Sequence, residues 1–256
     1  MDHFGEAVAA RYDDGEGPEF VPGTIARTVD FLYAASGGGA ALEFGVGTGR
    51  IALPLAGRGV PVRGIDLSRA MTDRLRAKPG GAEVPVTVGD FAQTVVPGTY
   101  ALVYLVFNTL MNLPTQEAQL ACFRNAARHL APGGRFVVEV MVPELRGLPH
   151  GRNTVVFGTG PEGWAYTEYD TVTQRADCHY LRVTPDGRGS HRTVPFRYVW
   201  PAELDLMARL AGLRARERWG GWGHEPFTET SRAHVSVWQK PVGTEERVAP
   251  GSPTSA

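Results

Sequence analysis

Residues 42–56, LEFGVGTGRIALPLA, restrict the fold more than any other stretch. An apolar run there ends in an acid, passes through three glycines and enters a helical pattern. Glycines at such a handover permit positive φ and close approach of the backbone, because no Cβ stands in the way. A turn of this kind suits the carboxyl end of a parallel strand, where the chain leaves to cross back over the sheet. The same scheme continues as far as residue 142. Apolar runs at 40–44, 60–66, 84–90, 101–107 and 135–142 alternate with helical patterns. In the clearest of these, Leu120, Phe123, Ala127 and Leu130 recur at helix spacing, started by Pro114 and Thr115 and stopped by APGG. Pro54 marks a short helix or a kink. Near-continuous apolar strands alternating with helices specify an α/β fold, a parallel sheet covered on both faces.

Beyond residue 142 the texture changes. NTVVFGTG, GWAYTEYDTVTQ, DCHYLRVT and SHRTVPFRYVW are rich in Thr, Val, Tyr and Phe and are separated by turn signals, which predicts antiparallel strands with short loops. A helix (PAELDLMARLAGL) and two strands (RARERW, HVSVWQK) follow. The expected organisation is N-terminal helices and a lid over 1–36, a core over 37–149, an antiparallel insertion over 150–200, a closing helix and two strands over 201–240, and a disordered polar tail over 241–256.

Composition narrows the function. The 256 residues suffice for one α/β domain with an insertion, and the net charge of −1 with no Lys/Arg run gives no nucleic-acid footprint. Cys122 and Cys178 lie in unrelated contexts, which suits a reducing compartment without a disulfide framework. No apolar run is long enough to span a bilayer, and the first residues lack a signal-peptide pattern. A cytoplasmic protein without membrane contact is expected.

The glycine turn is not a phosphate-cradling P-loop, because no Lys follows it. It is a poor dinucleotide fingerprint too: Gly45 and Gly47 fit, but Arg50 holds the third glycine's place and Gly49 comes one residue early. Glu43, two residues before the first glycine, disfavours a pyrophosphate and suits a cationic ligand. Asp66 closes the second strand, where an acid accepts ribose hydroxyls, and Asp90 closes the third, with Phe91 beside it, where an acid accepts from an adenine amino group. Three acids at the carboxyl ends of three consecutive strands line one crevice.

These elements, EFGVGTG, GIDLS, GDF and LAPGGRFVVEV, closely resemble the class I S-adenosylmethionine-dependent methyltransferases over residues 40–142. The resemblance implies a seven-stranded Rossmann-like sheet whose last strand is antiparallel. It also implies S-adenosyl-L-methionine as cofactor and S-adenosyl-L-homocysteine as product. The methionine moiety is expected at Gly45, Gly47 and Gly49, ribose at Asp66, and adenine near Asp90, Phe91 and Met71. Leu67 and Phe107 join this set, and Tyr12 is expected to close over the methionine end.

Residues after the fourth strand face the acceptor in that fold. FNTLMNL lacks the prolines of an adenine-N6 enzyme, Cys122 sits mid-helix rather than in a catalytic loop, and no His/Asp cluster suggests a metal. The insertion resembles that of small-molecule methyltransferases, including antibiotic-sugar N-methyltransferases and glycine N-methyltransferase-like enzymes, where it roofs the acceptor or forms a homodimer contact. Met141 and Val142 stand where the sugar enzymes carry aromatics, which counts against a nucleotide sugar. Phe20, Asn108, Met111, Trp164, Tyr166 and Arg197 are expected around the acceptor, and His179, Tyr180 and Glu139 are the candidate bases. A small-molecule methyltransferase is thus expected. The alternatives are a nicotinamide-dependent oxidoreductase, a methyltransferase of a macromolecule and a non-catalytic cofactor-binding protein.

Overall fold

Five parallel strands occupy the places of the apolar runs: β1 (Ala41–Phe44), β2 (Val62–Asp66), β3 (Val86–Val88), β4 (Tyr100–Leu105) and β5 (Leu130–Met141). They belong to a computed structural model that describes residues 4–15, 17–160, 163–184 and 186–243; the tail expected beyond residue 243 lies outside the described residues. β5 begins earlier than the hydrophobic pattern implied, because Leu130 already pairs with Tyr100; APGG then forms an irregularity before Arg135 pairs with Leu102, held on its other side by backbone hydrogen bonds of Gly133 and Gly134 with Lys240.

Helices α3 (Ala52–Ala56), α4 (Arg69–Ala77) and α5 (Gln116–His129) make the crossovers, preceded by α1 (Glu6–Ala9) and α2 (Pro22–Ser36) and followed by α6 (Pro201–Leu210). α3 is short, with Pro54 in its first turn, where a missing amide costs little. Thr115 caps α5 by accepting from Ala118 N at 3.1 Å, and Ser68 caps α4 by accepting from Met71 N at 3.3 Å. α5 and α6 bury Phe123, Leu204 and Met207 on one face of the sheet, and α2, α3 and α4 bury Leu32, Leu55 and Leu75 on the other. Among the described residues no helix is long and apolar enough to cross a membrane.

The sheet is completed by β10 (Arg214–Trp219) and β11 (Ala233–Gln239), in the order β10-β11-β5-β4-β1-β2-β3. β11 runs antiparallel to both neighbours, as the resemblance implied. Trp238 on this strand is buried against Phe123 and Phe136, with centroids 5.2 and 6.1 Å away.

The inserted strands form a separate antiparallel sheet, β6 (Thr154–Gly160), β7 (Gly163–Asp170), β8 (Arg175–Val183) and β9 (Gly189–Arg197), in sequential order. One face is buried: Tyr169 and Ala176 join the core beside α5, and Phe196 packs against it. The other face carries the polar alternation expected of a half-buried antiparallel sheet.

Candidate active site

The order β4-β1-β2-β3 puts the carboxyl ends of three neighbouring strands side by side, so Glu43, Asp66 and Asp90 border one crevice. Their roles differ. Asp66 organises the turn: its Oδ2 accepts from Gly47 N at 2.7 Å and its Oδ1 from Ser68 N at 2.8 Å. Asp90 Oδ1 accepts from Ala92 N at 2.8 Å, which curls the loop after β3. Asn125 on α5 holds that loop, donating to the carbonyls of Phe91 and Thr94 at 2.8 Å each. Phe91 is a core residue, its ring stacked 5.8 Å from that of Phe44.

Glu43 differs from the ionised strand-end acid expected. It is buried, and Tyr104 Oη on the adjacent strand donates to its Oε2 at 2.9 Å. Burial pushes its pKa up to about 8, against the pull of Tyr104 and of Arg50. Near neutrality it therefore retains its proton in this state, because nothing close enough balances the desolvated charge.

The three glycines have positive φ, but each for its own reason. A Cβ on Gly45 would meet Thr109 Cγ2 at 2.5 Å, so this glycine admits the loop after β4. A Cβ on Gly49 would meet Leu53 Cγ at 2.9 Å and Leu75 Cγ at 3.0 Å, so Gly49 permits the helix packing that a third fingerprint glycine normally permits. Only Gly47 borders open space, with Met71 Cε alone at 3.5 Å. It is the position where a ligand can lie against backbone, with Met71 beneath and exposed Leu67 alongside.

The N-terminal segment is docked across this turn. Ser68 Oγ donates to the carbonyl of Phe4 at 2.7 Å. Asp13 accepts from Thr48 Oγ1 at 2.6 Å and pairs with Lys78 Nζ at 2.8 Å, and Lys78 also donates to the Thr48 carbonyl at 2.8 Å. The rings of Phe4, Tyr12 and Phe20 meet edge to face, Tyr12 lying 6.4 and 5.6 Å from the other two. Arg50, the residue that spoiled the dinucleotide fingerprint, is the hub of the closure. It donates to the carbonyl of Glu19 at 2.5 Å, lies over Phe20 and Phe107 at 5.1 and 5.4 Å, and its charge partly offsets the upward shift that burial gives the Tyr12 hydroxyl. Its Nε is buried without a partner among the described residues.

Phe107 and Asn108 both take left-handed backbone at the end of β4, with φ of 51° and 57°. Phe107 N thereby points at Glu139 on β5 and donates to its Oε2 at 2.8 Å. Burial raises the Glu139 pKa, opposed by the Phe107 amide, by nearby Trp222 and by the charge of Arg50. Trp222 comes from the glycine-rich loop between β10 and β11. It is buried against Phe31, with centroids 5.3 Å apart.

Strand alternation divides the other expected residues. His179 and Tyr180 are consecutive on β8, so they face opposite ways. Tyr180 shares the inner face with Ala176, and burial raises its pKa, with Cys178 adding to the shift and Arg192 opposing it. His179 lies on the outer face, stacked on Tyr166 at 4.6 Å and on His191 at 5.2 Å, and Trp164 stands on that face 58% exposed. His179, Tyr166 and Trp164 are thus not brought into the crevice. Nor is Arg197: its guanidinium donates to Gln119 Oε1 at 2.6 Å, Gln174 Oε1 at 3.0 Å and Glu203 Oε1 at 2.7 Å, a buried strut between β9, α5 and α6. Asn108 accepts from Met141 N at 2.7 Å and braces the loop, and Met111 is buried in the core. A cleft of about 630 Å³ opens at the other end of the sheet, between Pro61, Arg63, Pro85 and Tyr100, where strands begin rather than end. Among the described residues no group of three or more His, Cys, Asp or Glu is arranged to hold a metal ion.

Arg50, Glu19 and Trp222 were missed in the sequence. Arg50 left a signal as the misfit after the third glycine. Trp222 left a weaker one, a tryptophan in a glycine-rich loop. Glu19 left none.

Comparison with known proteins agrees with this geometry. Residues 41–134 match the family model of a methyltransferase domain. The chain is 30% identical over 206 residues to a cypemycin N-terminal methyltransferase of a Streptomyces species, covering 78% of this chain and 82% of that protein. The CcbJ methyltransferase of Streptomyces caelestis superposes with a TM-score of 0.83 at 34% identity, over 93% of this chain and 98% of that one. The S-adenosylmethionine-bound structure of CalS10, an amino pentose methyltransferase of Micromonospora echinaspora, superposes with a TM-score of 0.66 at 23% identity, over 91% and 95% of the two chains.

Proposed function

This chain belongs to the S-adenosylmethionine-dependent methyltransferases, and from that premise we propose that it methylates an amine nitrogen of a small secondary metabolite. The observation that carries the nitrogen is Glu139. A carboxylate raised by burial is far too weak a base to ionise an alkyl hydroxyl, but it can take the proton from an ammonium group. The cypemycin enzyme, whose name specifies an N-terminus, supports the same reading.

Bound S-adenosylmethionine supplies an electrophilic methyl group on a sulfonium sulfur. The chain fits that cofactor: backbone is open at Gly47, and the buried, unpartnered Nε of Arg50 suits a carboxylate. In this reading Arg50 and Tyr12 hold the amino-acid end, Asp66 the ribose, Leu67 and Met71 the adenine face, and Asp90 the adenine amino group. Phe107 and Phe20 wall off water from the reacting end, and Tyr180 roofs it. Glu139 would take the proton from the acceptor ammonium, leaving a nitrogen lone pair to form the new N–C bond as the methyl's bond to sulfur breaks and sulfur keeps the electron pair, which leaves S-adenosylhomocysteine. The methylated nitrogen is then a cation again, and Glu139 returns its proton to solvent when the lid opens. Positioning and exclusion of water do the rest.

The finer assignments belong to the same proposal. Free thiols at Cys122 and Cys178 suit a reducing cytoplasm, and the outer face of the inserted sheet, with Trp164 and Val156 exposed, suits a homodimer contact. Methyl-labelled S-adenosylmethionine incubated with panels of small amines, alcohols and phenols tests the acceptor. Label transferred to amines alone is expected. Label appearing only on oxygen or carbon would overturn the nitrogen assignment.

A further inference from the structure

The loop after β4 adopts a turn that its own residues do not favour. β4 pairs with β5 only as far as Leu105 opposite Val138. The chain then reverses in a type I′ turn, closed by the Thr109 amide on the Val106 carbonyl at 3.2 Å, with left-handed Phe107 and Asn108 at its centre. Asn tolerates that backbone, whereas a bulky Phe is an outlier there and persists only where its surroundings hold it. Two links to β5 do so. The Phe107 amide donates to Glu139 Oε2 at 2.8 Å, and the Met141 amide, two residues further along β5, donates to Asn108 Oδ1 at 2.7 Å. The Asn108 carboxamide thus supplies the last rung between the strands, where β4 no longer pairs through its backbone.

We propose that Asn108 is a positioning residue for methyl transfer: by fastening the left-handed turn to β5, it keeps the Phe107 amide on the Glu139 carboxylate and so holds that carboxylate in the ionised form a base requires. The inference rests on the amine reading above, in which Glu139 is the base. Burial works against ionisation of Glu139, and Glu19 of the strap adds to it; the Phe107 amide is first among the groups that favour the anion, ahead of Trp222 and Arg50. Neither Arg50 nor Glu19 hydrogen-bonds Asn108 among the described residues, so the Asn108 link can be cut without touching either charge. Without that link Phe107 is free to leave its strained conformation, and its N–H turns away from the carboxylate. A residue that merely filled a left-handed position would leave Glu139 unaffected when replaced by glycine, which takes the same backbone at no steric cost.

The test uses the full chain saturated with S-adenosylhomocysteine, its glutamates labelled with carbon-13 at the δ-carboxyl and titrated by NMR. The Glu139 resonance is the one missing from Glu139→Gln. In Asn108→Gly its midpoint is expected to rise by about one pH unit, a tenfold change in proton affinity, because the anion loses a hydrogen-bond donor. Affinity for S-adenosylhomocysteine is expected to stay unchanged. The Phe107 amide is expected to exchange about tenfold faster in Asn108→Gly, and at the wild-type rate in Asn108→Asp, which keeps an oxygen for the Met141 amide. If the glycine variant does not fold, Asn108→Ser, with a side chain one bond shorter, puts the same question. A midpoint that does not move, or a Phe107 amide that stays as protected as in the wild type, overturns the proposal. The two readings fail separately. Methyl label found only on oxygen or carbon acceptors removes the amine reading and any positioning role with it, even where the midpoint moves. Transfer to amines with an unmoved midpoint removes Asn108 alone.

Discussion

At the scale of single residues, the chemistry rests on how two carboxyl groups are held. Glu43 is buried with only the Tyr104 hydroxyl close by, and its pKa of about 8 leaves it protonated at neutral pH. Glu139 accepts from the Phe107 amide, and Trp222 and Arg50 also favour its anionic form, although burial still raises its pKa. A base must be ionised to accept a proton, so turnover is expected to fall as pH drops through a value above the usual carboxylate range. Glu139→Gln keeps the Phe107 amide engaged through its amide oxygen but removes the base. Its kcat is expected to fall by about 10²–10⁴-fold, with loss of the acidic limb of the profile. Affinity for S-adenosylhomocysteine, measured by calorimetry, is expected to stay unchanged. A variant that keeps both its rate and its acidic limb would show that Glu139 only braces the Phe107 loop.

At the scale of elements, the N-terminal segment is a strap with few contacts of its own. α1 is a single turn, and the stretch down to Phe20 is held by the Asp13–Lys78–Thr48 group, the Arg50 contacts and three aromatic rings. Local opening of such a segment costs only the contacts that latch it. Amides from Ala9 to Phe20 are expected to exchange faster in the free protein than with S-adenosylhomocysteine. Asp13→Ala is expected to speed that exchange by about tenfold, since a partly buried charged hydrogen bond is lost. Lys78→Ala is expected to do the same, with little further change when the two are combined. Additive effects in the double variant would mean that the two residues hold the strap independently.

At the scale of the whole molecule, buried polar groups tie the insertion and the last strands to the core. Arg197 joins β9 to α5 and α6, and Arg218 pairs with Asp205, which also accepts from Trp238 Nε1 at 2.9 Å. His234 lies fully buried beside this group, with Nδ1 2.8 Å from Ser236 Oγ. Burial, helped by Arg218, lowers its pKa to about 4, from 6.5 in the unfolded chain. The native state therefore refuses a proton that the unfolded state accepts. The stability it contributes is fully present above pH 6.5 and is lost as pH falls through 4. Between pH 7.5 and 4.5 the loss due to this group is expected to be about 2.5 kcal/mol. Urea unfolding of wild type and His234→Gln at the two pH values measures it: the wild type should lose more stability by about that amount. Equal losses would place the acid sensitivity elsewhere.

What could be read from the sequence were the features with a local period or a short spacing. Alternating apolar runs and helical patterns specified the parallel sheet, because burial on both faces leaves no other arrangement of such strands. EFGVGTG, with acids after the next two strands, specified the cofactor crevice, because consecutive strands of a doubly covered sheet put their carboxyl ends side by side. Residues whose roles depend on a partner distant in the chain were decided only by the tertiary structure. Arg197, His179 and Trp164 look like pocket residues in a list of aromatic and charged side chains. A strand that turns alternate residues to opposite faces, and a buried Glu203 opposite the guanidinium, take them out of the crevice. Conversely Arg50 of the glycine turn meets Glu19 of the N-terminal strap, and Trp222 of the last loop of the sheet meets Phe31 of α2. Nothing in their own neighbourhoods in the sequence encodes those meetings, because the crossings that join these segments are set by the packing of the whole core.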